Sequence, residues 1–325
     1  MSSGELQADE PQRVGRYSVL RRLGRGGMST VYAAYDPELD RRVALKLVNA
    51  WEHGDDRGPA RLVREARAMA KISHPNVAPV YDVGVFGDAV YIAMELIDGP
   101  TLEAWLLATP RPWTEILRMY LLAGRGLAAA HGAGLIHRDF KPDNVMVGPD
   151  GRPRVLDFGL ARPATLHEDD ELLINDEVQD QVQVDGEPFA QQHSGPRPAS
   201  RISESFDLVV DVTRNGLVSG TPAYMAPEQH QGELGGPASD QFAFCVSLWE
   251  ALYRQRPFAG GSLFAIADAI IEGRLRPAPP SHVPGWIRNL LERGLRVDPD
   301  DRHPSMRSLL GSFVFTFKVI HGMVA

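Results

Sequence analysis

The pattern of the chain changes once, close to Asp98 and Gly99. Before this point, short apolar runs at 30–35, 42–48 and 89–96 are separated by Gly or Asp-Pro turns, which is typical of β-strands. After it, apolar residues recur at helical spacing. The predicted helices cover 101–108, 114–131, 238–253, 262–271, 284–293 and 304–313. A β-rich front and a helical back predict two lobes with a cleft between them, where ligands usually bind.

The predicted organisation follows from this change of pattern. The predicted parts are a disordered tail at 1–12, a β-rich lobe at 13–97, a helical lobe at 98–315 and a C-terminal tail at 316–325. One helix, at 59–71, interrupts the β-rich lobe, with Pro59 suited to its first turn. The apolar run at 313–317 fits a helix end packed on the domain or, alternatively, a juxtamembrane region.

Charge is concentrated in one segment. Residues 163–217 hold 12 acidic residues and 3 arginines, whereas the remainder has 31 basic and 30 acidic residues. This segment lacks Trp and Tyr, so we predict a disordered acidic insertion. The neutral remainder has no basic excess for nucleic acid.

We see no signal peptide or membrane span, and the lone Cys245 excludes an internal disulfide, so we expect a cytoplasmic location.

A glycine-rich stretch, LGRGGMSTV at 23–31, lies between two predicted strands. Glycines let a backbone approach phosphate oxygens closely and present N–H groups to them. An ordinary glycine-rich hairpin explains the same residues equally well. The strand–turn–strand setting argues against a dinucleotide-binding fingerprint, which requires a helix after the turn.

Lys46 lies inside the apolar strand VALKLV at 43–48. A buried lysine is costly unless it is paired, so it requires an anion, which phosphates and a helix carboxylate would supply. The alternative is a lysine that extends to solvent from a strand edge. Glu65, on the following helix, is the natural partner, and spacing alone leaves Glu52 open.

The stretch HRDFKPDN at 137–144 carries groups suited to phosphoryl chemistry. Asp139 could accept the proton of an attacking hydroxyl, and Lys141 could neutralise a transferring phosphate. Asn144 offers a metal ligand, and Asp157 of the tripeptide DFG, after an apolar strand, offers a second. Two oxygen ligands suit Mg²⁺, which usually binds few protein groups.

In this order, these motifs resemble those of the eukaryotic-type protein kinases, and within them the bacterial serine/threonine kinases. The similarity extends from about residue 17 to 313. It implies an α+β, two-lobed protein kinase fold with a small β-rich N-lobe and a larger helical C-lobe. It also implies transfer of the γ-phosphate of ATP to protein Ser/Thr hydroxyls, with Mg²⁺ or Mn²⁺ as cofactor, together with autophosphorylation.

The resemblance assigns a role to each matching residue. Asp139 is implied as the catalytic base and Lys141 as the group that stabilises the transferred phosphoryl. Lys46 is implied to hold the α- and β-phosphates and to pair with Glu65. The implied metal ligands are Asn144 and Asp157. The implied ATP-binding residues are Leu23, Gly24, Arg25, Gly26, Gly27, Met28, Ser29, Val31, Ala44, Lys46, Met94, Glu95, Ile97, Asp98 and Met146.

The stretch GTPAYMAPE at 220–228 resembles the substrate-positioning end of a kinase activation segment and contains Thr221. The resemblance implies that Glu228 pairs with Arg302 in the helical lobe. It also implies that Asp240 braces the catalytic loop. The alternative for Glu228 and Arg302 is a solvated surface pair, which would contribute little to stability.

The chain departs from the family pattern in the distance from Asp157 to Glu228, which is 71 residues. That is about twice what the family usually needs, and the excess is the acidic insertion. Either the insertion is tolerated, because loop-closure entropy grows slowly with length, or it is regulatory. Since Arg138 precedes the catalytic aspartate, we hypothesise that phosphorylation of Thr213 or Ser219 orders the segment.

Three classes of function remain to be compared. An active protein kinase fits the full motif set. A pseudokinase usually lacks the equivalent of Lys46, Asp139 or Asp157, and all three are present. A small-molecule phosphotransferase lacks the segment found here at 220–228. Lys141 favours Ser/Thr over Tyr as acceptor by resemblance. We expect a protein substrate, and a homodimer for autophosphorylation is compatible with these motifs.

Overall fold

A computed structural model describes residues 10–26, 29–49, 58–158 and 222–320. The strands are β1 (Arg13–Val14), β2 (Tyr17–Arg25), β3 (Ser29–Asp36), β4 (Arg41–Asn49), β5 (Val80–Phe86), β6 (Ala89–Glu95), β7 (Val145–Val147) and β8 (Pro153–Val155). The helices are α1 (Gly58–Ala70), α2 (Leu102–Ala108), α3 (Trp113–Gly132), α4 (Pro227–His230), α5 (Pro237–Tyr253), α6 (Leu263–Ile271), α7 (Gly285–Gly294) and α8 (Met306–Ile320). The predicted α+β class, with a β-rich front and a helical back, is confirmed.

The N-terminal lobe is one six-stranded antiparallel sheet in the order β1-β2-β3-β4-β6-β5. Helix α1 enters between β4 and β5 and packs against β5 and β6. Because side chains of a strand alternate between faces, β4 contributes to two separate cores. Val43 and Leu45 join a small cluster with Tyr17 and Tyr32. Ala44 and Val48 join the main core.

The C-terminal lobe is organised around α5. This helix is rich in apolar residues and nearly all of its residues are buried, as expected of a helix surrounded by protein. Helices α3, α7 and α8 pack against it. A buried hydrogen bond crosses from α3 to α5, where the hydroxyl of Tyr120 donates to the backbone carbonyl of Ser247 at 3.1 Å. This rigid centre carries the loops that form the site.

The segment before β5 joins the two lobes closely at Asn76. A Cβ atom added at Gly126 of α3 would lie 2.3 Å from the Asn76 carbonyl oxygen, so only glycine permits this approach. That carbonyl accepts a hydrogen bond from the backbone N–H of Val155 at 2.9 Å. The Asn76 side-chain amide donates to the carbonyl of Pro153 at 2.8 Å. Strand β8, which leads into Asp157, is thereby fixed against both α3 and the N-terminal lobe.

The end of the chain differs in one respect from the sequence prediction. The last predicted helix, 304–313, continues in the structure as α8 to Ile320, so the apolar run 313–317 is helical. Phe313 is fully buried, whereas Phe315 is 64% exposed. The predicted domain boundaries and tails stay predictions. The sequence features that lie outside the described residues are Gly27, Met28, Glu52, the insertion at 163–217, Thr213, Ser219 and Thr221.

Candidate active site

The predicted catalytic loop, which begins at His137, is held by the buried Asp240 of α5. One carboxylate oxygen of Asp240 accepts the backbone N–H of His137 at 2.7 Å, and the other accepts the backbone N–H of Arg138 at 2.7 Å. His131, at the end of α3, places Nε2 2.7 Å from the same carboxylate. Arg138 has a φ of 62°, a left-handed conformation that costs on the order of 1–3 kcal/mol for a non-glycine residue. The buried carboxylate therefore holds the loop in a strained shape.

Asp139, Lys141 and Asn144 lie together at the short 3₁₀ helix Pro142–Asn144, which Lys141 precedes and Asn144 ends. The Lys141 Nζ atom is 3.4 Å from Oδ2 of Asp139. The Asn144 side-chain amide donates to the Asp139 backbone carbonyl at 2.7 Å and to its carboxylate at 3.3 Å. The Asp139 side chain remains 30% exposed, so its carboxylate is oriented yet accessible.

Lys46 pairs with Asp157 across the cleft. Its Nζ atom lies 2.8 Å from Oδ1 of Asp157, and its side chain is only 9% exposed, compared with 34% for Asp157. In the structure, the carboxylate that contacts Lys46 is therefore that of Asp157, the aspartate of the DFG tripeptide. Glu65, the partner expected from sequence, lies on α1, and its pairing with Lys46 stays a prediction.

The electrostatic surroundings favour an ionised Asp157. Burial would raise the pKa of this carboxyl, but the charge and hydrogen bond of Lys46, with further positive potential from His137 and Lys141, hold the pKa below its usual range. Asp157 also has a φ of 56°. A strained backbone that directs an anionic oxygen towards a buried lysine is a frequent feature of functional sites.

The oxygen donors fit a divalent cation held by few protein ligands. Within the described ranges, no group of three or more His, Cys, Asp or Glu side chains is arranged to hold a metal. Mg²⁺ commonly binds through one or two protein oxygens and completes its shell with water and substrate phosphates. Asn144 keeps its side-chain oxygen available because its contacts to Asp139 use the NH₂ group. Together with the ionised Asp157, it matches that requirement.

The residues predicted to surround a nucleotide come from both lobes. Val31 of β3 is opposite Lys46 in the sheet, and Ala44 is opposite Met94. Met146 of β7 forms a bridge with the residue preceding α2. At the tip of the β2–β3 hairpin, the backbone N–H of Gly26 donates to the carbonyl of Ser29 at 2.7 Å. The remaining described residues of the set are Leu23, Gly24, Arg25, Glu95, Ile97 and Asp98, on β2, at the end of β6 and in the connection between the lobes.

Glu228 and Arg302 form a buried bidentate pair. The two Nη atoms of Arg302 lie 2.8 and 2.7 Å from the two Glu228 oxygens. The other guanidinium N–H groups donate to the backbone carbonyls of Ala238, Val297 and Arg296, so all five donors have acceptors. Burial raises the pKa of Glu228, but hydrogen bonds from Arg302 and Ser239 outweigh it and lower the pKa overall.

Several supporting residues were not found by sequence reasoning. The hydroxyl of Ser239 donates to Glu228 at 2.7 Å. The side-chain amide of Gln229 donates to the backbone carbonyl of Arg138 at 3.2 Å, joining α4 to the catalytic loop. His131, whose Nε2 atom contacts Asp240, is another supporting residue that no local pattern indicates. His137 is fully buried and contacts the Leu156 carbonyl at 2.8 Å, which agrees with a packing role rather than a base.

Comparison with known families identifies the class of protein. The family described as "Protein kinase domain" matches residues 17–181, about half of the chain. The description "Protein tyrosine and serine/threonine kinase" matches residues 210–313. The chain belongs to the protein kinase family.

Three curated relatives are bacterial kinases. The chain is 34% identical over 297 residues to the serine/threonine-protein kinase PknA of Mycobacterium tuberculosis H37Rv, covering 90% of this chain and 59% of that protein. It is 33% identical over 291 residues to PknL of the same strain, covering 89% of this chain and 62% of PknL. PknD of Chlamydia abortus is 29% identical over 307 residues, 90% of this chain and 30% of PknD. The chain thus spans about three fifths or less of these relatives. Among its described helices, none is long and apolar enough to cross a membrane.

Proposed function

We propose that the chain is a serine/threonine protein kinase that transfers the γ-phosphate of ATP to hydroxyl groups of proteins, including its own. The observation that carries this proposal is the convergence of Asp139, Lys141 and Asn144 beside the Lys46–Asp157 pair. Phosphoryl transfer needs positioned charge and little covalent assistance, and these five side chains offer both signs of charge within one cleft.

Lys46 and the oxygen ligands would bind the nucleotide. Lys46 would contact the α- and β-phosphates, for which a compact ammonium charge is suited. Asn144 and Asp157 would hold Mg²⁺ or Mn²⁺ through their oxygens. When bound, ATP supplies the phosphoryl group and the metal ion neutralises its charge. The hairpin tip near Gly26 and Ser29 would lie over the phosphates.

Asp139 and Lys141 would act on the acceptor. The oxygen of a Ser or Thr hydroxyl forms a bond to the γ-phosphorus while the bond to the β–γ bridging oxygen breaks, and ADP leaves. The hydroxyl proton passes to the Asp139 carboxylate. Asn144 would orient Asp139 through one hydrogen bond to this carboxylate and one to the Asp139 backbone carbonyl. Lys141 would stabilise the charge of the transferred group. Ser/Thr specificity is supported by Lys141 and by the similarity to kinases that are named serine/threonine-protein kinases.

The cellular setting is part of the same proposal. We place the domain in the cytoplasm, where ATP is abundant and where the single Cys245, fully buried, would stay reduced. Autophosphorylation between two copies would require a transient homodimer. Its test is concentration dependence: the initial rate of self-labelling per molecule should rise with enzyme concentration if one copy modifies another, and stay constant if each copy modifies itself.

The decisive test of catalysis is transfer of labelled γ-phosphate from ATP·Mg²⁺. The chain and a generic Ser/Thr substrate should acquire label, whereas Asp139→Asn should lose activity by at least about 100-fold, the usual scale for general-base catalysis. Nucleotide binding by the variant should persist. No label in either protein, with nucleotide still bound, would indicate a pseudokinase. Label on small alcohols but not on proteins would indicate the other phosphotransferase class.

We further propose that Arg138 binds a phosphorylated residue of the activation segment, Thr213 or Ser219. In the described part of the chain, the Nε atom of Arg138 is buried and has no hydrogen-bond partner. A phosphate would supply an acceptor for it. Complete dephosphorylation and the double variant T213A/S219A should each lower activity. Equal activity of the phosphorylated and dephosphorylated wild-type protein would contradict the proposal.

A further inference from the structure

A cavity of about 410 Å³ lies away from the catalytic residues, between α3, the turn joining β7 to β8, and the segment before β5. Arg118, Leu122 and Arg125 line it from one face of α3, as their spacing of four and three residues requires. Arg152 lines it from the turn, and His74 from the segment before β5. We call this cavity the arginine pocket.

The lining of the arginine pocket has an excess of positive charge, with three arginines and one aspartate. Among the described residues, Arg118, Arg125 and Arg152 are exposed and none takes part in an ion pair. One carboxylate lines the pocket, that of Asp150, and Arg154 contacts both of its oxygens at 3.0 Å. Each of the three guanidinium groups has five N–H donors, and almost all of these are available to an external acceptor.

His74 adds a neutral donor to the pocket. Its Nδ1 atom accepts the backbone N–H of Asn76 at 3.2 Å. Burial and the nearby charge of Arg125 lower the pKa of His74, so the ring is neutral at pH 7 and carries its proton on Nε2. Asn76 itself is fixed by Pro153 and Val155. Hydrogen bonds thus hold the segment that carries His74 and Asn76, which limits the ordering cost of binding for this part of the pocket.

We propose that the arginine pocket docks an acidic segment of a protein substrate, one whose anionic groups are clustered Asp/Glu carboxylates or phosphorylated side chains. Arginine binds carboxylate and phosphate in the same bidentate geometry, and three unpaired guanidinium groups around one concavity match several anionic groups spaced along an extended peptide. The elements that line the pocket carry none of the catalytic side chains, so a docked segment leaves the cleft free for the acceptor hydroxyl. This inference rests on the proposed kinase function.

Binding is tested first, without reference to catalysis. Fluorescein-labelled peptides with a central Glu run, the same run as Gln, or a phosphoserine pair are titrated onto the full chain, and anisotropy is recorded. The acidic peptides should bind at least about 10-fold more tightly than the Gln peptide, and added salt should weaken them. Equal binding of the Glu, phosphoserine and Gln peptides would overturn the proposal. The two anionic peptides together show which group is preferred.

Variants assign the binding to the pocket. R118Q, R125Q and R152Q remove exposed side chains and should fold normally; each should weaken the acidic peptides about 5-fold or more. Matched controls are R276Q and R307Q, exposed arginines that do not line the pocket and should leave affinity unchanged. Unchanged affinity in all three pocket variants would overturn the proposal. So would capture of the wild type by anionic lipid vesicles with no binding of acidic peptides.

A kinetic measurement separates docking from catalysis. For a substrate that carries an acidic tail, R118Q/R125Q should raise KM and leave kcat unchanged. For a substrate without the tail, the wild type and the variant should have the same KM and kcat. A parallel fall in kcat on both substrates would contradict a docking role. If the wild type labels no substrate at all yet binds acidic peptides through the pocket, the kinase proposal fails and the binding site stands.

Discussion

Two buried cations, Arg302 and Lys46, each contact a carboxylate, and the difference between the two pairs separates scaffold from chemistry. Arg302 has acceptors for all five N–H groups, and its partner Glu228 also accepts from Ser239. The ammonium of Lys46 has an ion pair, among the described residues, with Asp157. The Asp157 side chain is 34% exposed, against 10% for Glu228.

The comparison indicates that the number of donors already bonded, more than burial of the cation, distinguishes a structural pair from one that can bind a ligand. A saturated pair in a dry environment offers nothing to a ligand, and losing one member leaves the other charge buried without compensation. An unsaturated pair beside solvent can exchange partners, which phosphates and a metal ion require. The predictions below test this division, from the largest expected effect on stability to the smallest.

Arg302→Met should lower the free energy of unfolding by about 3–5 kcal/mol, because Glu228 would remain buried without its partner. Chemical denaturation monitored by Trp fluorescence measures this loss. The exposed control Arg307→Met should change stability by less than about 0.5 kcal/mol. A loss for Arg302→Met no larger than that of the control would show that the pair contributes little despite its geometry.

Asp240→Asn should lower stability by about 1–3 kcal/mol, because the new NH₂ group cannot accept the backbone N–H that the lost oxygen accepted. Since these bonds hold Arg138 in its left-handed conformation, kcat should fall as well. Denaturation and labelled-phosphate transfer measure the two effects. Asp268→Asn, an exposed change on α6, is the matched control and should alter neither. If Asp240→Asn kept the kcat of the wild type, Asp240 would not be needed to hold the loop in its active conformation.

Sequence reasoning succeeded where a local pattern determines the outcome. The apolar run at 43–48 predicted a strand, and of the two alternatives for Lys46 the structure has the buried one. The helical spacing at 238–253 predicted α5. The Glu228–Arg302 contact joins residues 74 positions apart, so its expectation came from family resemblance and not from spacing.

Other contacts depend on tertiary geometry that no local pattern encodes. His131 contacts Asp240, which lies 109 positions later in the chain. Ser239 contacts Glu228, which lies 11 positions earlier. The Lys46–Asp157 contact requires β8 to be fixed against α3, which depends on the close approach at Gly126. The arginine pocket likewise combines three separate segments, and its charges are unremarkable when read along the chain.

The Glu228–Arg302 pair should also make stability depend on acid pH. The pKa of Glu228 is below its ordinary value of 4.5, so the pair contributes fully above about pH 4.5 and its contribution is lost as pH falls through the lower, folded-state pKa. Each unit of pKa corresponds to about 1.4 kcal/mol. Glu228→Gln should therefore be less stable than wild type at pH 7, and the difference should shrink below pH 4.5. A difference that is constant from pH 7 to pH 3 would contradict an ionised Glu228.

Lys46→Met should produce the smallest change in stability and a large change in activity. The Met side chain can fill the volume of the lysine stem, and a pair with a partly exposed carboxylate contributes less than about 1 kcal/mol. Loss of the ammonium from the phosphate site should lower transfer by at least about 100-fold. Lys71→Met, exposed at the end of α1, is the matched control and should affect neither property. If Lys46→Met instead lost several kcal/mol of stability, the Lys46–Asp157 pair would be structural like Glu228–Arg302, and the difference between the two pairs would disappear.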